Sequence, residues 1–206
     1  MSGSLSVQKI DSVAYSTVDT SKAAEIINID LARDTMLYMP PKGYLINVNN
    51  FGIAKFTPDK PFLITDSLYS CKAVIFYDGA EKKGLLCHLP PPEKIAWAEK
   101  IDRLVSEFNP STDLKNVKVY VIEGRYQSDS SPFTIDSIVY DISKYHPFCI
   151  YVDRHFTSAP MPKGILLNLQ NGKVSQLKFG DPLIFPEKRT DLDTTIDKTW
   201  KIPNFH

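Results

Sequence analysis

Residues 71 to 77 read CKAVIFY, and residues 84 to 89 read GLLCHL. The first run is apolar at nearly every position, not only at alternate ones. A strand built from it has no face to offer water, so it belongs in the middle of a covered sheet. Asp78-Gly79-Ala80 supplies turn residues after it, and Asp78 is suited to hold that turn through its own backbone. The second run then returns as the antiparallel partner. In a regular strand Cys87 and His88 point to opposite faces, which makes Cys87 a core residue.

Strand signals begin at Tyr44, after Pro40-Pro41-Lys42-Gly43 punctuates the chain. Tyr44–Val48, Gly52–Phe56 and Phe62–Thr65 are short β-type runs. Pro90-Pro91-Pro92 stops the sheet, and prolines suit the first turn of a helix. Ile95, Ala98, Ile101, Leu104, Val105 and Phe108 then recur at helical spacing, up to Asn109-Pro110. Trp97 falls off that stripe and is expected to pack against the N-terminal extension. Val117–Ile122 is a strand. A second helix is expected from about Thr134, its N-cap, to Tyr145. Phe148–Val152 is a strand holding Cys149, another expected core residue. Gly164–Leu169 and Lys173–Lys178 form a hairpin whose Asn171-Gly172 predicts a type I′ turn. The order implies an α+β domain, with two helices packed on a mixed sheet. It spans residues 44–181. Residues 1–43 are an extension, with one or two helical turns at Lys22–Ile27, and residues 182–206 are an irregular tail.

Composition excludes several classes of function. Twenty-four basic residues balance 24 acidic ones, so no net positive field favours nucleic acid or an anionic membrane. No apolar run reaches the length of a membrane span. The start lacks the basic and apolar segments of a secretory signal. The expected location is the cytoplasm, or the outside as an effector delivered by a signal-less route. Cys71, Cys87 and Cys149 are too few for a disulfide framework. The histidines at 88, 146, 155 and 206 show no metal-ligand spacing. There is no phosphate-binding glycine loop and no dinucleotide motif. No cofactor is expected.

The chemistry centres on Cys71. It opens the apolar strand just after the polar stretch Thr65-Asp66-Ser67-Leu68-Tyr69-Ser70, while His88 ends the partner strand. Two antiparallel strands joined by a turn near residues 78–83 bring that start and that end together. A cysteine hydrolase needs this set: a thiol, a base beside it and a group to orient the base. His88 would take the thiol proton, Thr65 would fix the imidazole tautomer, and N–H groups near Ser70 would face an oxyanion. Tyr69, beside the nucleophile, would gate the mouth, stack on substrate or simply pack. His155 is a spare base or a solvated loop residue. Spacing alone leaves the bland reading open, in which Cys71 is a small buried hydrophobe and His88 a structural residue.

The stretch from Ile64 to Val74, ITDSLYSCKAV, resembles the active-site motif of the chemoreceptor glutamine deamidases (CheD). That motif is an apolar residue and Thr, a Gly-rich link, then Leu-x-Ser-Cys-x-Ala-Val. The similarity continues without a gap through Asp78 and Gly84 to His88 and Leu89-Pro90, and as order of elements over roughly residues 44 to 180. The resemblance implies that Thr65, Cys71 and His88 are catalytic and that the substrate is a protein presenting a glutamine. Bacterial toxins of the cytotoxic necrotizing factor type carry a similar Cys–His arrangement. The chain departs from the pattern where Asp66, Ser67 and Tyr69 stand for loop glycines. It departs again at Glu123-Gly124-Arg125-Tyr126 and Arg154-His155-Phe156-Thr157, where the family has Gly-Gly pairs. These changes alter the mouth of the site. The expectation is a CheD-like protein-glutamine deamidase. The alternatives are a transglutaminase or small-molecule amidase on the same site, and a catalytically silent binding module.

Overall fold

The CKAVIFY run forms β6 (Lys72–Asp78), paired antiparallel with β7 (Lys83–Leu89) on one side and with β8 (Val117–Glu123) on the other. Asp78 Oδ1 accepts hydrogen bonds from the Ala80 and Glu81 N–H groups, as the turn required. The computed structural model describes residues 24–31, 35–36, 43–90, 97–124, 135–154, 163–177 and 199–201. Thr134, Ile95, His155 and the side chain of Trp97 lie outside the described residues. So does Arg125-Tyr126.

β4 (Asn50–Lys55) continues the sheet beyond β7. On the far side β9 (Cys149–Asp153) runs parallel to β8, and the intervening helix α2 (Ile135–Ser143) makes the crossover that a parallel pair requires. The outer strands come from either end of the chain. β1 (Glu25–Asn28) lies parallel to β9, and β12 (Thr199–Lys201) antiparallel to β4. Two expectations are corrected here. Lys22–Ile27 is not helical over its described part, because two adjacent isoleucines and the open hydrogen-bonding edge of β9 favour a strand over so short a helix. The tail is not wholly irregular, because β12 pairs with β4.

The architecture is α+β with two mixed sheets rather than one. The second sheet has the order β2 (Thr35–Met36), β11 (Val174–Leu177), β10 (Lys163–Asn168), β5 (Phe62–Leu68), β3 (Tyr44–Ile46). It follows from the apolar content of β6 on both faces. On one face Val74, Phe76, Leu85 and Cys87 meet Ile101, Leu104 and Val105 of helix α1 (Trp97–Phe108), with Ile138 and Ile142 of α2. On the other face Ala73, Ile75 and Leu86 meet Ile46, Leu63, Leu68, Ile165 and Leu167 of the second sheet. The layers are therefore helices, seven strands, five strands. Leu45, Ile64, Leu166 and Leu177 cluster on the outer side of the five.

Local rules set the ends of these elements. Pro110 blocks α1 from continuing, and Lys83 of β7 donates to the Phe108 carbonyl with its ammonium 4.7 Å from the Phe108 ring centroid. That is the favoured placement of a cation at a helix C-terminus. The β10–β11 hairpin is not the expected type I′ turn. Its loop is longer, and only Gly172 takes a positive φ, at 71°. The Gly172 N–H donates to the Asn168 carbonyl at 2.7 Å, while Asn171 Oδ1 accepts from the Lys173 N–H. A Cβ at Gly172 would also come 2.2 Å from the Tyr77 ring.

Among the described residues no helix is long and apolar enough to cross a membrane. Phe76 is fully buried between the central strand and α1, edge-on to Phe108 at 5.6 Å between centroids. Phe76→Ala is expected to lower unfolding free energy by roughly 3–5 kcal/mol through lost burial and a cavity. Urea titration followed by circular dichroism reads it, and a loss under about 1 kcal/mol would contradict this account of the core.

Candidate active site

His88 stands opposite Ala73 in the β6–β7 register. Cys71 lies two residues before Ala73, so alternation puts the thiol and the imidazole on one face as diagonal neighbours. That face looks at the second sheet. Both side chains are buried, Cys71 at 8% exposure and His88 at 2%. Cys87 packs on the opposite, helical face.

Thr65 does not belong to the sheet that carries His88. It comes from the layer above. β5 does not end at Thr65 but runs on to Leu68, pairing with β10 across a register shift between Lys163 and Ile165, with Ser67 at φ 59°. Thr65, fully buried, points down from this strand, and its Oγ1 lies 2.8 Å from His88 Nδ1. The same hydroxyl donates to the Ile46 carbonyl on β3 at 2.7 Å. A hydroxyl has one proton. With that proton committed to Ile46, Thr65 can only accept from His88, so Nδ1 carries the imidazole hydrogen. Nε2 is then an open lone pair. It is buried and has no hydrogen-bond partner among the described residues. Burial of a polar atom without a partner is costly and calls for a reason.

The backbones of both residues are pinned. The Asn49 N–H donates to the His88 carbonyl, and the Gly124 N–H donates to the Cys71 carbonyl, each at 2.9 Å. Asn49 has a left-handed φ of 61°. Gly124 lies so close to the cysteine segment that a Cβ would fall 2.2 Å from the Tyr69 carbonyl oxygen and 2.5 Å from that of Cys71. Only glycine fits there. The Tyr69 N–H turns back to the Ser67 carbonyl at 2.9 Å, and Tyr69 is 45% exposed, at the surface rather than in the core. Ser70 accepts from Lys72 Nζ through its carbonyl. Lys72 also pairs with Glu123, its β8 neighbour, at 3.2 Å, both side chains being under 10% exposed.

The protonation states differ from the ion pair that spacing suggested. Burial pushes the Cys71 thiol above its usual range, with Lys72 acting in the opposite direction. Burial also lowers His88, to about 4. The resting state is a neutral thiol and a neutral imidazole on one face, with the Nε2 lone pair free. The structure thus bonds Thr65 to His88 and sets Cys71 on the face that His88 shares, with no hydrogen bond between the thiol and Nε2; Ser70 and Tyr69 precede the thiol in the chain. Sequence reasoning missed Asn49, Gly124 and the Lys72–Glu123 pair. A lysine inside an otherwise apolar strand was the available signal for the last.

Among the described residues no group of three His, Cys, Asp or Glu side chains is placed to hold a metal. An open cleft of about 750 Å³ lies over β8 and β9, lined by residues including Asp30, Leu31, Tyr120, Tyr151 and Lys173; Thr65, Cys71 and His88 are not among them. No family model matches the chain, and no curated protein matches it.

His88 has a pH consequence. Its folded value is depressed from 6.5 to about 4, so folding favours the neutral ring. Between those values the unfolded chain takes up a proton that the native state refuses, and stability falls as pH falls. The drop from 6.5 to about 4 corresponds to roughly 3 kcal/mol at most. In urea titrations at pH 7 and pH 4, His88→Gln is expected to lose less stability than wild type by an amount of that order. Equal losses in the two proteins would refute the buried neutral imidazole.

Proposed function

We propose that the chain is a cysteine hydrolase that deamidates glutamine side chains on a protein substrate, with Cys71 as nucleophile and His88 as base. One observation carries the reading. Thr65 spends its proton on Ile46 and holds His88 Nδ1, leaving a buried Nε2 lone pair on the face Cys71 shares. A structural histidine would normally satisfy both nitrogens. The likeness of residues 64–90 to the chemoreceptor glutamine deamidases supplies the reaction class, and the family assignment is part of this proposal.

In the proposed reaction His88 Nε2 takes the thiol proton as Cys71 Sγ attacks the side-chain carboxamide carbon. The developing oxyanion is met by backbone N–H groups of the Ser70–Cys71 segment. The C–N bond then breaks, and ammonia departs with the proton held by His88. Water attacks the thioester, giving a proton to His88. The C–S bond breaks, the sulfur recovers that proton, and the product is glutamate. Thr65 is a positioning residue that keeps the base in one tautomer throughout. A depressed imidazole pKa fits a group that must be unprotonated when attack begins. A glutamine side chain is slender and carries its carboxamide at the tip, which suits a buried thiol that keeps a small exposure.

A second reading has its own observation. The thiol is buried and raised rather than activated, as in an inert cysteine of a silent binding module. The deciding measurement is ammonia release from a glutamine-bearing peptide library, with hydroxylamine added to trap a thioester as hydroxamate. Wild type is expected to release ammonia and to form hydroxamate. Cys71→Ala and His88→Ala are expected to reduce both at least 100-fold, in line with loss of a nucleophile or base. If wild type and Cys71→Ala are indistinguishable in these assays, and Cys71 alkylates no faster than in His88→Ala, the binding-module reading stands instead.

A further inference from the structure

Lys72 is the one cation inside the apolar strand that follows the nucleophile. Its ammonium is buried, paired with Glu123 at 3.2 Å and bonded to the Ser70 carbonyl at 3.3 Å. Burying two charges is costly even when they pair, and well-packed apolar residues commonly do as well for stability. A pair held at that cost is informative when it touches a site. Here it does so twice. Lys72 grips the carbonyl one residue before Cys71, and Glu123 precedes Gly124, whose N–H holds the Cys71 carbonyl. The pair lies across the β6–β8 register at the level where the thiol emerges.

Resting on the reading of Cys71 as nucleophile, we infer that Lys72 is a positioning residue for Cys71: it fixes the Ser70–Cys71 segment against β8 and lends the positive charge that favours the thiolate. Alternation turns the Lys72 side chain to the helical face while Cys71 faces the second sheet, so the ammonium acts across the strand and does not occupy the substrate path. The other ionisable groups near the thiol are few. β7 presents His88, with its imidazole neutral, and β8 presents Glu123. β5 presents Thr65 on this face, and buried Asp66 and exposed Tyr69 lie in the segment that leads from Thr65 to Cys71. Asp153 of β9 stands one strand beyond, opposite Ile122. Lys72 opposes the burial that raises the thiol.

The test is the pH dependence of Cys71 alkylation by iodoacetamide, read by peptide mass spectrometry on the full chain. Lys72→Met is expected to move the profile to higher pH and slow alkylation roughly tenfold at neutral pH, the factor for about one unit on the ascending limb. Lys72→Arg keeps the charge and is expected to retain most of the rate. Glu123→Gln is expected to leave the profile in place or move it to lower pH. A purely structural pair would give the same direction in Lys72→Met and Glu123→Gln. That outcome, or an unmoved profile in Lys72→Met, overturns the inference. If Lys72→Met does not fold, Lys72→Met/Glu123→Gln is compared with Glu123→Gln alone and is expected to alkylate with its profile at higher pH; coincident profiles in those two variants also overturn it. His88→Ala, run in parallel, reads the base alone, so failure of the proposed reaction and failure of the Lys72 inference are separable.

Discussion

Burial of β6 and β7 on both faces governs how the remaining chain is used. A strand pair with no wet face needs a cover on each side. The helices α1 and α2 supply one, and the five-stranded sheet supplies the other. The outer strands extend the layers without changing that arrangement. β1 and β12 close the two sides of the larger sheet, and their backbone groups pair with β9 and β4. This is also why the site lies inside the molecule rather than along an open rim. His88 belongs to the central pair, so what packs over it on that face comes from the second sheet.

A polar cluster in such a place is tolerated only when its hydrogen bonds are arranged in advance. Here the arrangement is directional. Thr65 donates to the Ile46 carbonyl, His88 Nδ1–H donates to Thr65, and Nε2 is left as an open acceptor. The two reacting residues are held by their carbonyls, from Asn49 and Gly124. Neither clamp uses a side-chain contact, so both constrain position without crowding the space above the thiol. The low basicity of the imidazole and the raised thiol have one cause, exclusion of water.

The central hairpin was legible in the sequence because its signals are local: an apolar run, Asp78 in the turn and a return strand at fixed distance. The opposition of Cys87 and His88 followed from alternation alone. The α+β class and the two helices were legible from periodicity. The second sheet was not. Nothing within Phe62–Leu68 or the β10–β11 hairpin states that they turn away from the first sheet and pack over it. The strand at Glu25–Asn28 was missed because its partner lies more than a hundred residues away, and its four residues carry no pattern beyond two isoleucines. The hairpin turn was misread because Asn-Gly suits several loops, and the loop length decided between them. At the site, Cys71, His88 and Thr65 were legible as a set, but not the direction from which Thr65 arrives.

That direction has a consequence. The 2.8 Å contact between Thr65 and His88 joins residues that belong to different layers. Within a sheet, neighbouring strands are locked together by their ladder, but these two stacked sheets meet mainly through apolar contact, with a few directional ties such as the Tyr77 hydroxyl donating to the Leu169 carbonyl and the Tyr120 hydroxyl to the Gly172 carbonyl. A slide of one layer over the other by about an ångström would disturb the interdigitated packing and break this hydrogen bond, whose tolerance is only a few tenths of an ångström. The hydrogen-bond state of one imidazole nitrogen is therefore a gauge of how the two layers are aligned.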